Sequence, residues 1–381
     1  MYSPYFHEHE LFIDSTRRFM AEELEPHIDQ WERDGNFPDS VFRKLGEHGF
    51  LGLLVSEEFG GTNSDYHLAG AWCETFGELR AHGLCVGVNM HSVVVAHALD
   101  RLGTPEARRR WLPGAVTGEA IGAYAFTEPG VGSDLANMRT RADFNGKNWV
   151  INGTKTFITN GARANFLLVM ARSDLNAGYG GFTTFVVDTK SPGFKVNKKL
   201  DKLGWRSSDT AELFFDAVEV GPECVLGKVG EGWIQGANNL NWERMMLTLT
   251  TLGGARSAYR DAVRYSTERG AFGRKIGEFE YWQGVLAQMY QKVVLGEAIS
   301  HAALDLVRNH DPKAKALVSM AKRQVCADAL WIADQAIQIH GGYGYTTEFS
   351  AERWWRDLRL MPIGGGTSEI MANVVRKELG F

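Results

Sequence analysis

From about Leu11 to Leu112, positions such as Leu11, Phe12, Ser15, Phe19 and Leu24 fall mostly three to five residues apart, with acids and bases between them. That spacing predicts amphipathic helices. Three clusters, Gly35-Asn36-Phe37-Pro38, Phe59 to Asn63 and Gly103-Thr104-Pro105, carry the Gly and Pro chemistry that ends one helix and begins the next. Between Gly118 and Gly221 the pattern changes. Asn145-Gly146, Asn152-Gly153 and Asn160-Gly161 follow at short intervals, and Asn-Gly is the strongest short hairpin signal because both residues tolerate positive φ. Short β-branched or aromatic runs lie around them: Asn148 to Ile151, Lys155 to Thr159, Phe166 to Ala171, Phe182 to Asp188 and Ala211 to Phe215. A β-sandwich or barrel is predicted.

After Gly232 the helical period returns in longer stretches. Leu317, Ala321, Val325, Ala329, Ile332, Ala336 and Ile339 step by three and four, a buried stripe of a helix bundle. The order helix, sheet, helix makes an α+β protein with segregated layers and lacks the βαβ alternation of a Rossmann fold. Three domains are expected: residues 1–117 helical, 118–228 β, and 229–381 a helical bundle.

Composition narrows the function classes. The 381 residues are 44% hydrophobic and 23% charged, an ordinary globular balance. Lys plus Arg number 41 against 46 Asp plus Glu, a net −5 with no basic block, so nucleic acid is not an expected partner. Cys73, Cys85, Cys224 and Cys326 are too dispersed for a metal clip or a disulfide framework and read as reduced thiols. The opening MYSPYFHEHELF has neither the basic start and apolar run of a signal peptide nor the acid-poor composition of a transit peptide. The longest apolar run is broken by Asn89, His91 and His97, so no membrane span is expected. A reducing, cytoplasmic setting follows as the expectation.

Neither G-x-G-x-x-G nor a P-loop occurs, and the His7-Glu8-His9-Glu10 run lacks metal-ligand spacing, so no metal is assigned. The stretch YAFTEPGVGSD, Tyr124 to Asp134, begins as a strand and becomes a loop. In it Gly130 and Gly132 allow close backbone approach, while Thr127 and Ser133 offer donors beside Phe126 and Val131. Such a loop suits a flat aromatic ring edged with heteroatoms, and also suits a plain surface connection. Phe157 and Thr159, two residues apart, would share a strand face, which could equally be core.

YAFTEPGVGSDLANM, TFITNG at Thr156 to Gly161 and DTAELFF at Asp209 to Phe215 resemble the acyl-CoA dehydrogenase family. The resemblance continues in RGAFG at Arg269 to Gly273, matching R-x-x-F-G. It extends through QIHGGYG at Gln338 to Gly344, matching Q-x-x-G-G-x-G, and GTSEI at Gly366 to Ile370. It implies a helical N-terminal domain, a middle β-domain and a C-terminal four-helix bundle, with FAD between the last two. Tyr124, Phe126 and Thr127 would meet the flavin, and Phe157 and Thr159 its other edge. Ser133 would touch the flavin or the acyl-CoA, and Arg244 and Gly365 would meet the acyl-CoA. Arg269, Phe272, Gln338 and Gly342 would hold the diphosphate and adenosine, largely of a neighbouring subunit, with Thr367 and Glu369 completing the site. A homotetramer, built as a dimer of dimers, is implied. Glu280 departs from the family, standing where many relatives carry Gln.

Family chemistry needs a carboxylate to remove the α-proton, often a Glu directly before G-T-S. Here that place holds Gly365, within Ile363-Gly364-Gly365-Gly366-Thr367. A candidate stands elsewhere: Glu243 shares a helical face with Asn239, Leu240, Met246, Leu247 and Thr250, and Met245 to Ala255 is free of charge. A buried carboxylate has a raised pKa, which suits a general base, although pairing with an Arg would explain it equally well. The L-x-x-E-R context and the small residue before G-T-S resemble the isovaleryl-CoA and long-chain subset. The reading is FAD-dependent formation of a trans-2-enoyl-CoA, with electrons passing to an electron-transfer flavoprotein. A flavin oxidase or monooxygenase on the same scaffold, and a non-catalytic scaffold protein, are the competing readings.

Overall fold

A computed structural model describes residues 4–381; Met1 to Ser3, where the reading of the N-terminal stretch and the first domain begins, lie outside the described residues. The first helical segment comprises α1 (His7–Phe19), α2 (Ile28–Asp34), α3 (Ser40–Glu47), α4 (Tyr66–Phe76), α5 (His82–Asn89), α6 (His97–Leu102) and α7 (Pro105–Thr117). The turn clusters act as expected of their chemistry. Gly35 closes α2 at φ 69°, and Thr104 caps α7 by accepting from the Ala107 N–H at 3.2 Å while Pro105 takes the first helical position.

Helices α5 and α6 are joined by a π-helical stretch, Met90–Ala96. The run His82–Leu102 is thereby long and apolar enough to cross a membrane by length and composition alone, but its apolar window is buried wholly inside the fold. The polar residues that broke it in sequence are satisfied internally. Asn89 accepts from Trp72 Nε1 at 2.8 Å and donates to Thr250 Oγ1 at 3.1 Å, and His91 bonds the Ala115 carbonyl at 3.0 Å. The π-helical stretch also presents the Val93 carbonyl to Trp242 Nε1 at 2.8 Å.

The middle segment forms one mixed sheet from β1 (Gly122–Ala125), β2 (Arg141–Phe144), β3 (Trp149–Thr159), β4 (Phe166–Arg172), β5 (Phe182–Asp188), β6 (Phe194–Lys199), β7 (Thr210–Val220) and β8 (Val225–Leu226). The order is β6-β7-β3-β2-β4-β5-β8, with β1 parallel to β4. Its inner face holds Ala123, Ile151, Leu167, Phe185, Leu213 and Phe215 in one cluster. Exposed Lys195, Lys198 and Lys199 guard the β6 edge. The Asn-Gly reading needs correction. Only Asn145-Gly146 turns a hairpin, between β2 and β3. Asn152-Gly153 is a bulge inside β3, where a side chain on Gly153 would overlap Thr140. Asn160-Gly161 ends β3, and Asn160 donates to the Gly87 carbonyl at 2.7 Å, tying the sheet to α5. The two short strands expected on either side of Gly153 are therefore one.

The last segment holds α8 (Gly232–Glu268), a small hairpin of β9 (Gly270–Ala271) and β10 (Arg274–Lys275), α9 (Glu280–Arg308), α10 (Ala314–His340), α11 (Ala351–Leu358) and α12 (Ser368–Glu378). Helix α10 packs against α8, α9, α11 and α12. Its stripe from Ala321 to Ile339 is buried as spaced, and every residue from Met245 to Ala255 on α8 is buried.

A charged cluster locks the first helices to this bundle. Arg256 on α8 pairs with Glu74, with Glu78 at 3.1 Å and with Glu297 at 2.8 Å, and His301 on α9 meets Glu74 at 2.9 Å. Burial opposes both charges, but Arg256 and His301 hold the Glu74 carboxyl below its usual range, and Glu74 holds the His301 imidazolium above its own. The Glu74 contribution is lost as pH falls. The His301 contribution is full below the ordinary imidazole pKa and lost as pH rises through the raised one. His301→Gln is therefore expected to lower the melting temperature more at about pH 6 than at about pH 8. Equal losses at both pH values would take protonation out of the account.

Candidate active site

Helix α8 carries Glu243 into the protein interior, 8% exposed. One carboxylate oxygen lies 3.7 Å from the point where a side chain on Gly365 would begin, and the other has no hydrogen-bond partner. Burial raises its pKa to about 7, against the opposing pull of Arg244 and Lys322. The pairing with an Arg considered from sequence is not formed. Arg244 instead directs Nε to the Gly365 carbonyl at 3.1 Å.

Gly364-Gly365-Gly366 form the turn between α11 and α12, with Gly365 at φ 64° and Gly366 at φ 102°. These are left-handed conformations in which a side chain is strained. Lys322 on α10, 1% exposed, donates to the Gly366 carbonyl at 2.8 Å and the Met361 carbonyl at 3.2 Å. Thr367 caps α12 by accepting from the Ile370 N–H at 3.3 Å. Glu369 is exposed in the first turn of that helix, its carboxyl lowered by its own backbone N–H and by Thr367. Among the described residues no protein acceptor meets the Gly365 N–H.

Strand β1 delivers Tyr124 and Phe126, stacked at 4.0 Å and 29°. The Tyr124 hydroxyl lies beside Asn239 and within the field of Glu243, and burial keeps it protonated far above neutral pH. Phe126 rests against α8 at Gly236, where an added Cβ would approach its ring to 2.9 Å. The Thr127 carbonyl accepts from the Thr156 N–H at 2.8 Å, stitching the loop to β3. Ser133 is exposed further along this loop, and Thr159 is half-buried at the end of β3. Phe157 stands on a bulge between Lys155 and Ile158, at φ 59° and 68% exposed. The bulge breaks the strand alternation, so two-residue spacing alone no longer puts Phe157 and Thr159 on one face.

Two supports escaped the sequence reading. Lys155 and Glu128 form an ion pair at 2.9 Å, with side chains 0% and 3% exposed. Lys155 also donates to the Phe126 carbonyl at 2.9 Å, and Glu128 accepts from the Arg139 and Thr140 N–H groups at 2.6 and 2.9 Å. Lys322 is the other. It shares a helical face with the apolar Val318, Val325, Cys326 and Ala329, and a lone lysine on such a face was the signal available.

The remaining predicted residues gather elsewhere. A cavity of about 500 Å³ is lined by Arg269, Tyr265, Trp282, His340, Gly341 and Gly342, among others, and by none of the residues around Glu243. Arg269 has no carboxylate partner among the described residues. Phe272 tips the β9–β10 hairpin with its side chain 96% exposed, while Gln338 is exposed in the last turn of α10 and accepts from the Gly341 N–H. Glu280 is exposed at the start of α9 and does not line the cavity. Gly130, Gly132, Gly341 and Gly342 each face open space, with nothing within 4 Å of an added Cβ. An unpaired guanidinium with exposed Gly-Gly backbone suits a diphosphate, and stacked rings beside hydroxyl donors suit a planar heterocycle. The residues present therefore fit a flavin dinucleotide. No group of three or more His, Cys, Asp or Glu among the described residues could hold a metal ion.

Comparison with known proteins places these residues in context. Residues 7–119, 123–218 and 230–380 match the N-terminal, middle and C-terminal domains, respectively, that define acyl-CoA dehydrogenases. The chain is 33% identical over 379 residues to the long-chain specific acyl-CoA dehydrogenase of Sus scrofa, covering 98% of this chain and 86% of that protein. An acyl-CoA dehydrogenase structure from Geobacillus kaustophilus is 35% identical and superposes with a TM-score of 0.96, covering 100% of both chains. A Mycobacterium smegmatis glutaryl-CoA dehydrogenase in complex with FADH2 is 28% identical with a TM-score of 0.92, covering 99% of this chain and 95% of that one.

Proposed function

The chain belongs to the acyl-CoA dehydrogenase family, whose members are flavoprotein oxidoreductases, and we propose that it converts an acyl-CoA to the trans-2-enoyl-CoA with Glu243 as the base. One observation carries the assignment: the Glu243 carboxylate reaches the space beside Gly365 from α8, with an oxygen left unpaired. The base thus occupies, from a different helix, the neighbourhood where many relatives place one from the glycine turn.

Tyr124, Phe126, Thr127, Phe157 and Thr159 would hold the flavin ring, and Arg269, Phe272, Gln338 and Gly342 the diphosphate and adenosine. Bound there, FAD supplies the acceptor for the β-hydrogen, which leaves with its electron pair. Glu243 accepts the α-proton at the carboxylate oxygen that lies nearer Gly365, and its elevated pKa makes it a stronger base than an exposed carboxylate. As the proton leaves, charge moves to the thioester oxygen, and the free Gly365 N–H is the donor we assign to it. Arg244 keeps that turn in place through the Gly365 carbonyl. Ser133 and Thr367 lie on the segments that would flank the substrate and flavin, and Glu369 strengthens the cap of α12.

The same reading takes a second copy of the chain to complete the cofactor site, and a tetramer as the assembly. The open cavity, the bare Phe272 ring and exposed Tyr281, Tyr290 and Leu295 along α9 support it. An electron-transfer flavoprotein is the proposed acceptor, and the four free thiols suit a reducing compartment such as the cytoplasm. Anaerobic titration with a panel of acyl-CoAs should bleach the oxidised flavin band with at least one of them. Rapid peroxide production in air would replace this reading with an oxidase, and a colourless protein with a scaffold.

Moving the base back to the turn is a further test. Gly365→Glu in a Glu243→Gln background is expected to restore a minor share of bleaching. The positive φ costs about 1–2 kcal/mol, and the new Cβ must displace Leu247 Cδ1 from 2.5 Å. A melting temperature unchanged by Gly365→Glu would contradict that strain.

A further inference from the structure

Lys322 is a buried cation with no carboxylate partner. Its ion-pair count among the described residues is nil, while other buried lysines and arginines, such as Lys155 and Arg256, sit against acids. Burying an ammonium without an ion-pair partner is expensive, and here the Gly366 and Met361 carbonyls accept its hydrogen bonds while the Glu243 carboxyl acts on it from beyond ion-pair distance. An apolar residue would fill an α10 stripe position without that penalty, so the position of the charge needs a reason.

The reason lies in the turn it grips. Three successive glycines form the least constrained backbone a chain can have, with no side chain to pack and φ free to change sign. Two cations remove that freedom. Arg244 Nε holds the Gly365 carbonyl at 3.1 Å, and Lys322 Nζ holds the next carbonyl, that of Gly366, at 2.8 Å. Lys322 also holds the Met361 carbonyl, and the Ser368 N–H reaches back to Pro362 at 3.0 Å. The turn is thus fixed at both ends and in the middle. Of its amides without a protein acceptor among the described residues, those of Gly365, Gly366 and Thr367, the Gly365 N–H belongs to the residue whose Cβ position lies 3.7 Å from the Glu243 carboxylate.

We propose that Lys322 is a positioning residue: by clamping the glycine turn from α10 it holds the Gly365 amide where the thioester oxygen develops charge. The inference rests on the reaction proposed above and adds to it a residue that touches neither substrate nor flavin. The charged or titratable groups facing Lys322 are Glu243 and Arg244 from α8 and Cys326 from its own helix. Removing the ammonium therefore has a second consequence. Glu243 loses a cation that favours its ionised form, so the pH at which it ionises moves up.

The test is Lys322→Met, which keeps the length and apolar stem of the side chain and removes its charge and donors. In the flavin-loaded enzyme kcat should fall by about 10- to 100-fold with KM little changed, since a misplaced oxyanion donor acts mainly in the transition state. The inflexion in the pH profile of kcat/KM should move to higher pH. Independently of activity, hydrogen exchange across residues 363–366 should quicken by about tenfold or more, while the rest of α10 keeps its protection. Unchanged exchange in the turn together with an unmoved inflexion would overturn the proposal, even if stability fell. Should the Met variant not fold, Lys322→Arg retains the charge: it should keep the inflexion and lose kcat, and full kcat with faster exchange in the turn would sink the idea. If Glu243→Gln retains activity, the base assignment fails instead, which the exchange data do not depend on.

Discussion

Glu243→Gln should yield a folded, yellow protein that no acyl-CoA can bleach. The substitution keeps the shape of the side chain and removes its only basic site. Loss of a positioned general base costs about 10²–10⁴-fold, and nothing nearby can replace it: Arg244 and Lys322 are cations, and the Tyr124 hydroxyl keeps its proton because burial disfavours the phenolate. The wild-type enzyme should show the pH dependence of a base that ionises at about 7, with kcat/KM rising about tenfold between roughly pH 6 and pH 8. Stability should move the other way. A carboxyl whose pKa is higher in the folded than in the unfolded chain binds its proton more tightly when folded, so it opposes folding increasingly as pH rises from the ordinary carboxylate range to about 7, and by a constant amount above that. Glu243→Gln is expected to raise stability above neutral pH, by at most about 3 kcal/mol. A variant with lower activity and lower stability at high pH would point to a structural carboxylate instead. Bleaching at the wild-type rate would end the assignment.

The reach of the sequence differs between the helices and the sheet for a physical reason. The stripe from Ala321 to Ile339 and the uncharged run from Met245 to Ala255 are buried as spaced, because a long helix repeats one geometric rule and its partner merely covers the stripe. The sheet obeys longer-range demands. Asn152-Gly153 carries the chemistry of a hairpin turn, yet its neighbours pair with β7 across a bulge, so tertiary pairing overrode the local signal. Glu243 was legible because it is a charge on a face that is otherwise uncharged. Its partners were not, since Gly365 lies 122 positions later in the chain (365 − 243) and only the folded turn brings the two together. Lys322 could have been found by the same argument as Glu243, but the stripe reading followed Ala321 and Val325 and passed over the residue between them. The pairing of Glu128 with Lys155 left no periodic trace, one residue being in a loop and the other on a strand.

That hidden pair underlies the second large effect, on stability. Lys155→Met removes one partner and leaves the Glu128 carboxylate buried with only the Arg139 and Thr140 N–H groups to hold its charge. Breaking a buried pair in this way costs about 3–5 kcal/mol, a large fraction of a domain's net stability. The damage should be local first. Lys155 also binds the Phe126 carbonyl and touches Met138 Sδ at 3.3 Å, so the segment from Phe126 to Thr140 loses its anchor on β3 at three points. That segment carries Thr127, Gly130, Gly132 and Ser133, and flavin retention should fall with it. A thermal melt of the flavin-free protein and a measured flavin dissociation constant separate the two consequences. The double variant Lys155→Met with Glu128→Gln decides the cause. With no uncompensated charge left inside, it should recover a substantial part of the lost stability while still binding flavin more weakly, because the Phe126 carbonyl remains without its donor. If the double variant is as unstable as the sum of the two single ones, the two side chains act independently and the ion pair is not what anchors the loop.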